Sequence, residues 1–251
     1  MQKLTLVFIL ILQTSLGFSA FAQSVNILIV TGGREIPRAE FLPMFDAMEG
    51  ISWEEAVQPK ANEMIEQGKG DQYDVLVFYD MYEEITPSQK KAYVDLFKKG
   101  KPALFLHHSL VSYQHWDEFE EIIGARYYDS TRLKGIKPEG GFSTYRHDVE
   151  IPVEVIRTDH PVVRGVETTF TLFDEAYGNF YVYEELVIPI LKTTHPDSDE
   201  IIAWENRYEN SSIIYLQPGH GLTIFNDKNY QKLIHNALIY LKGTSLEFSE
   251  E

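Results

Sequence analysis

Apolar positions along this chain follow two rhythms. Val25 to Val30 (VNILIV) is a run rich in β-branched residues that ends at Thr31-Gly32-Gly33. That pattern predicts a buried strand followed by a glycine turn. Ser52 to Val57, Asp74 to Tyr79 and Ala103 to Leu106 predict three further strands. Between them the spacing becomes helical. Phe41, Met44, Phe45 and Met48 share one face of a helix over Glu40 to Met48. Asn62 to Gln67 predicts a short helix. Thr86 and Pro87 read as the cap and first residue of a helix that carries Tyr93, Val94 and Phe97 and closes at Gly100. Strands alternating with helices predict a mostly parallel α/β sheet with helices on both faces. Ligands bind such sheets beyond the carboxyl ends of the strands. The segments after Val30, Tyr79 and Leu106 are therefore where chemistry is expected.

The second half is less regular. A helix over Trp116 to Ile123 turns Trp116, Phe119, Ile122 and Ile123 inward. Ala125 to Gly141 carries no clear period and reads as a mixed loop. Val149 to Ile156, interrupted by Pro152, predicts an edge-type strand. Phe170 to Phe173, Val187 to Leu191, Glu200 to Trp204 and Ser212 to Leu216 predict four more. Tyr230, Leu233, Ile234, Ala237, Leu238 and Leu241 mark a final amphipathic helix.

The first residues read differently. Lys3, the apolar run Leu4 to Leu12 and the small-x-small triplet Ala20-Phe21-Ala22 fit a secretory leader cleaved before Gln23. The run is short for a membrane span, and a retained anchor is the competing reading. The predicted organisation is a leader at 1–22 and one elaborated α/β domain at 23–251. The predicted location is periplasmic or secreted, with no membrane insertion once the leader is removed.

The formal net charge is −16. Such an acidic chain disfavours nucleic acid and anionic membranes as partners. Cysteine is absent. This excludes disulfides, thiolate metal sites, a lipoprotein anchor and cysteine catalysis.

Two histidine segments stand where chemistry is expected. Phe105-Leu106-His107-His108-Ser109 follows a buried strand and precedes a helix. A residue at such a turn projects over the sheet. Gln217-Pro218-Gly219-His220-Gly221 also leaves a strand at its carboxyl end, with glycines that permit close approach by a ligand. Asp174-Glu175-Ala176-Tyr177 follows the run ending at Phe173. On an extended chain its two carboxylates point to opposite sides, so one at most faces the site unless the backbone bends. Asp159-His160-Pro161 reads as a turn opening a short helix, with Asp159 binding backbone amides. Trp204 is either a sugar-stacking ring or core. His115, His147, His195 and His235 show no arrangement beyond surface or packing roles.

In this order the segments resemble the ThuA-like (trehalose utilisation) family over Val25 to Leu241. The carriers are Ile29-Val30-Thr31-Gly32-Gly33, the strand ending at His107, Asp159-His160-Pro161, Asp174 to Tyr177, Ile202-Ala203-Trp204 and Gly219-His220. The resemblance implies a flavodoxin-like fold similar to class I glutamine amidotransferases. It places His107 where those enzymes carry their cysteine and His220 where they carry a histidine. Thiol-dependent glutamine hydrolysis is then excluded. Two departures are visible. Arg34, Glu35 and Arg38 follow the first strand, where many members carry a histidine, and His108 stands where a small residue is usual.

The resemblance further implies work on a small carbohydrate, a keto-sugar or keto-glycoside, by isomerisation, elimination or hydrolysis. That chemistry needs a base beside the carbonyl and an electrophile for the enolate oxygen. The roles expected are His107 as base or ligand, His220 as acid, and Glu175 as base or ligand. Tyr177 and Trp204 would contact sugar, with Asp174, His108, Arg34 and Tyr79 lining the pocket. No cofactor is named by the sequence. A divalent metal held by histidine and carboxylate is the alternative electrophile. The alternative functions are a non-catalytic carbohydrate-binding or accessory protein, and a metal-dependent hydrolase. The pattern sets no oligomeric state.

Overall fold

The computed structural model describes residues 24–247. The expected leader lies outside them. In chain order the elements are β1 (Val25–Gly32), α1 (Arg38–Asp46), β2 (Ile51–Val57), α2 (Lys60–Glu66), β3 (Val75–Asp80), α3 (Pro87–Lys98), β4 (Ala103–Leu106), α4 (Asp117–Ile123) and β5 (Ala125–Arg126). There follow β6 (Thr144–Val155), β7 (Thr169–Gly178), β8 (Tyr181–Val182), β9 (Val187–Thr193), β10 (Ile201–Tyr208), β11 (Ser211–Leu216) and α5 (Lys228–Glu247). Among the described residues no helix is long and apolar enough to cross a membrane.

Nine strands form one sheet in the order β2-β1-β3-β4-β11-β10-β9-β6-β7. From β2 to β11 every pairing is parallel. From β11 to β7 every pairing is antiparallel. The fold is the flavodoxin-like α/β arrangement, with an antiparallel extension built by the second half of the chain. Strands β1, β3 and β4, buried except at Asn26, are apolar on both faces, as a sheet covered on both sides requires. Alternate residues serve the two layers. Ile27 and Ile29 pack with Phe41, Phe45, Leu233 and Leu238 of α1 and α5. Leu28 and Val30 pack with Met64, Phe97 and Phe119 of α2, α3 and α4.

Local signals account for the helix ends. Thr86 and Gln89 form a reciprocal capping box at α3, with Pro87 at its first turn. At α5 the Asp227 carboxylate accepts from the amides of Asn229 and Tyr230. Tyr230, Leu233, Ile234, Ala237, Leu238 and Leu241 are all buried.

Two expectations change. β6 is not an edge strand, because β7 pairs with it from Thr144 to Glu154. On its other side β9 pairs only with Val153 to Val155, so Pro152 sits just outside that ladder. β7 runs on to Gly178, so Asp174 to Tyr177 lie inside the strand rather than after it. Two pairs in the long β6–β7 hairpin, Arg146 with Ala176 and Val149 with Asp174, leave His147 and Asp148 opposite Glu175 alone. This is a β-bulge, and Asp148 has φ 56° there.

A polar network lies at the carboxyl end of β3. Gln58 Nε2 donates to Asp80 Oδ2 at 3.1 Å and to Asn62 Oδ1 at 2.9 Å, and the Tyr93 and Tyr113 hydroxyls donate to Asn62 Oδ1. Asp80 Oδ1 has no hydrogen-bond partner. Burial pushes the Asp80 carboxyl up to about 7, against the opposing effect of Gln58, Tyr113 and Arg132. A raised folded-state pKa gives stability that is complete below the unfolded value and is lost as pH rises through the folded one. Asp80→Asn is therefore expected to flatten the fall in stability between roughly pH 4 and 7. At pH 8 the gain over the parent is about 2–4 kcal/mol, since each tenfold difference in proton affinity between folded and unfolded chain is worth ~1.4 kcal/mol. Urea titrations at acid and alkaline pH measure it. Parent and variant curves that stay parallel would show that Asp80 is not the titrating group.

Candidate functional site

The turn after β4 builds the centre of the site. His107 begins a short 3-10 turn, His107–Val111, with φ 47°. A non-glycine residue in the left-handed region is uncommon and is held only by surrounding contacts. Those contacts are visible. The Tyr215 hydroxyl donates to the His107 carbonyl at 3.0 Å, and His107 Nδ1 donates to the Gln217 carbonyl at 2.7 Å. With Nδ1 so engaged, Nε2 is 2.8 Å from Glu175 Oε2 and 3.0 Å from the Tyr177 hydroxyl. His107 is fully buried, so it stands behind Glu175 rather than at the cavity.

Glu175 is reached from three sides. His147 Nδ1 lies 3.2 Å from Oε1, and His220 Nε2 lies 3.9 Å from Oε2. The bulge in β6 aims His147 inward. Burial alone would raise Glu175, but the His107 hydrogen bond and the neighbouring imidazoles hold its carboxyl below the ordinary range. Burial and nearby charge keep the Tyr177 phenol well above its ordinary value, so it remains a donor.

The loop after β11 is placed by Asp174. Its Oδ2 accepts from the Gly219 amide at 2.6 Å, and its Oδ1 accepts from the amides of His220 and Gly221 at 2.9 and 2.6 Å. Gly219 has φ 148°, and a Cβ there would meet the Tyr230 hydroxyl at 2.9 Å and His107 Cβ at 3.1 Å. Arg34 follows β1 and brings Nη2 to 3.3 Å from His220 Nε2. A guanidinium only donates, so that nitrogen accepts. Burial pushes His220 down to about 4, outweighing the pull of Glu175. His220 is neutral at neutral pH.

A cavity of about 330 Å³ opens above these groups, lined by residues that include Arg34, Tyr127, Ser143, Tyr145, His147, Glu175 and Tyr177. Asp129, Ser130 and Thr131 supply a polar wall. Their loop is pinned by Arg132, which donates to the Met81 and Val111 carbonyls and to Glu83.

Of the residues expected in the pocket, the structure brings Glu175, Tyr177 and Arg34 to the cavity, with His220 beside them. Four others are corrected. Trp204 is fully buried and donates from Nε1 to the Ile123 carbonyl, so it is core. Tyr79 is buried and donates to the Gly219 carbonyl. His108 is buried against Tyr79, whose carbonyl accepts from Nε2, and burial holds it well below the ordinary histidine value. Asp174 faces backbone amides rather than ligand. Both carboxylates still serve the site without any break in alternation. Ala176 packs with one layer and Tyr177 with the other, and the β11 loop crosses to meet Asp174 on its own side. At His220 the Nε2 atom accepts from Arg34. His107, expected as base or ligand, is buried and touches Glu175 instead of the cavity.

His147, Tyr127, Tyr145 and the Asp129–Thr131 wall are additions to the expected set. They come from the aperiodic stretch and from the exposed start of β6 with its bulge, and neither leaves a hydropathy signal. His160 lies in a separate cluster. Its Nδ1 accepts from the Val162 amide, and its Nε2 is 3.0 Å from Glu205, which also binds the Tyr240 hydroxyl. The turn is capped by the His160 ring rather than by Asp159.

A family model described as ThuA, trehalose utilisation, matches residues 26–241. The chain belongs to the ThuA family. Two solved ThuA-like proteins share its fold. One, from Parabacteroides merdae, has TM-score 0.71 at 14% identity, covering 87% of this chain and 90% of that one. The other, from Bacteroides uniformis, has TM-score 0.68 at 19% identity, covering 90% and 95%. PurLQS from Thermotoga maritima is similar at TM-score 0.56 and 14% identity, covering 87% and 99%. No curated protein matches the chain. Within the ThuA fold, the turn carrying His107 is thus the strained turn after a central parallel strand.

Proposed function

We propose that this ThuA-family chain is an exported enzyme that processes a keto-disaccharide by acid–base chemistry. The observation that carries the reading is Glu175. Its carboxylate lines a polar cavity and is gripped at 2.8 Å by buried His107 and at 3.2 Å by His147. A carboxylate so held is a positioned base for a proton on the carbon beside a carbonyl. Tyr177 remains a phenol, and Arg34 is a cation on the same cavity wall. Either is suited to the oxygen on which enolate charge develops. His107 is a positioning residue that acts through Glu175. The hydroxyl, carboxylate and aromatic lining supports a sugar ligand, since sugars present hydroxyls at their edges and C–H groups at their faces. The family's tie to trehalose utilisation supports the same class.

Purified protein mixed with 3-keto-trehalose, and separately with trehalose, tests the reading. Consumption of the keto-sugar alone is the expected result. Binding without consumption of either sugar would overturn the enzyme and leave a carbohydrate-binding protein. Tyr145 is 62% exposed at the cavity rim, beside the His147 ring. It takes the stacking role expected of Trp204. Tyr145→Ala is expected to raise KM roughly 3–10-fold, ~1 kcal/mol, with kcat nearly unchanged. Steady-state kinetics separate the two parameters, and a fall in kcat alone would remove Tyr145 from the binding surface.

A further inference from the structure

We infer that His147, Glu175 and His220 form a binding site for a divalent transition metal, with zinc as the best-fitting ion. One ligand atom from each lies within 4.8 Å of the others. Two imidazoles and one carboxylate are a donor set suited to zinc, and three protein ligands leave a position open for water or substrate. The open side faces the cavity, where the hydroxyl and carbonyl oxygens of a sugar could reach an ion.

The surroundings are those of a metal site rather than of a chance cluster. Outer partners orient first ligands and tune their affinity. Glu175 Oε2 is held by His107 Nε2 at 2.8 Å, and that ring is fixed in turn by the Gln217 carbonyl at 2.7 Å. The backbone of His220 is fixed by Asp174 at 2.9 Å. His147 is turned toward Glu175 by the bulge at Asp148. His220 Nε2 already accepts a hydrogen bond, which is the state a metal ligand needs. The group it accepts from is Arg34, at 3.3 Å. That guanidinium stands beside the space the ion would take. Arg34 is therefore a competing cation, and it must swing aside for the metal to reach His220.

The inference shares the site with the carbohydrate reading but does not depend on the substrate. Its test uses zinc alone. Calorimetric titration of chelator-treated protein with zinc chloride should show one site per chain. His147→Ala and His220→Ala should each weaken binding by more than the roughly 10–100-fold that loss of an outer partner costs. His147 is 44% exposed, so its replacement leaves the fold intact. His195→Ala, outside the cluster, should bind as the parent does. Arg34→Gln should bind more tightly. Binding that is absent, or that survives both histidine replacements, would overturn the site. Keto-sugar turnover by protein that binds no zinc would overturn it while leaving the carbohydrate reading standing. Zinc binding without turnover would do the reverse.

Discussion

Replacing Glu175 by glutamine is expected to lower keto-disaccharide turnover by about 10²–10⁴-fold, the usual share of a positioned proton-transfer group. The substitution keeps volume and shape. The glutamine NH₂ can donate to His107 Nε2, which accepts once Nδ1 donates to the Gln217 carbonyl, so the neighbouring contacts have a partner and the fold should persist. What disappears is the only carboxylate among the described residues that both lines the cavity and touches His107. Asp129, on the opposite wall, is engaged with the amide and hydroxyl of Thr131. Asp174 is turned to the backbone of residues 219–221. Neither can take over. The informative readout is exchange of the proton beside the carbonyl with deuterated water, because it reports abstraction even where later steps are slow. A Glu175→Gln protein that melts like the parent and exchanges as fast would remove Glu175 from the chemistry. Loss of exchange together with loss of the fold would instead mark the carboxylate as structural.

The first half of the fold is legible in the sequence because one physical rule governs it. In a parallel sheet covered on both faces, strands are continuous apolar runs, and helices show a single buried face. Val25 to Val30, Asp74 to Tyr79 and Ala103 to Leu106 obey the first condition, and Tyr230 to Leu241 the second. The antiparallel half obeys a weaker rule. One side of β6 is largely unpaired by β9, and its outer residues are exposed from Thr144 to Arg146, so the hydropathy pattern fades. Periodicity shows the strand only from Val149 onward and hides the part that carries His147. The site follows the same division. His107, His220 and Arg34 each leave a parallel strand at its carboxyl end, where the fold rule directs attention. His147 is delivered by a bulge, which breaks the period by definition. Trp204 and Tyr79 are misplaced by sequence for another reason. Sequence reports that an aromatic residue ends a strand, but not which layer covers it. Here Tyr79 is stacked on Phe41, and Trp204 packs on Tyr215.

Asp174→Asn is expected to destabilise the protein by about 2–4 kcal/mol, because one or two buried donors lose their acceptor at roughly 1–3 kcal/mol each. Charge is not the main loss. Burial raises the Asp174 carboxyl despite the opposing effect of His107 and the amides, so neutralising the side chain costs little in itself. The loss lies in acceptors. Three amides converge on the two oxygens, with Gly219 on Oδ2 and both His220 and Gly221 on Oδ1. An asparagine offers one oxygen, and its NH₂ must then face an N–H in either orientation. A protonated aspartate can still turn a lone pair toward each donor, whereas an amide nitrogen cannot. The melting temperature should fall by roughly 5–15 °C, at ~2–4 °C per kcal/mol for a chain of this size. The damage should also be local. Gly219 fits between His107 and Tyr230 without room for a Cβ, so a displaced loop cannot settle into a nearby alternative. His220 would leave Arg34 and Glu175, and zinc affinity should drop with stability. Differential scanning calorimetry with and without zinc measures both effects. An Asp174→Asn protein that melts with the parent would show that water, not the carboxylate, satisfies these amides.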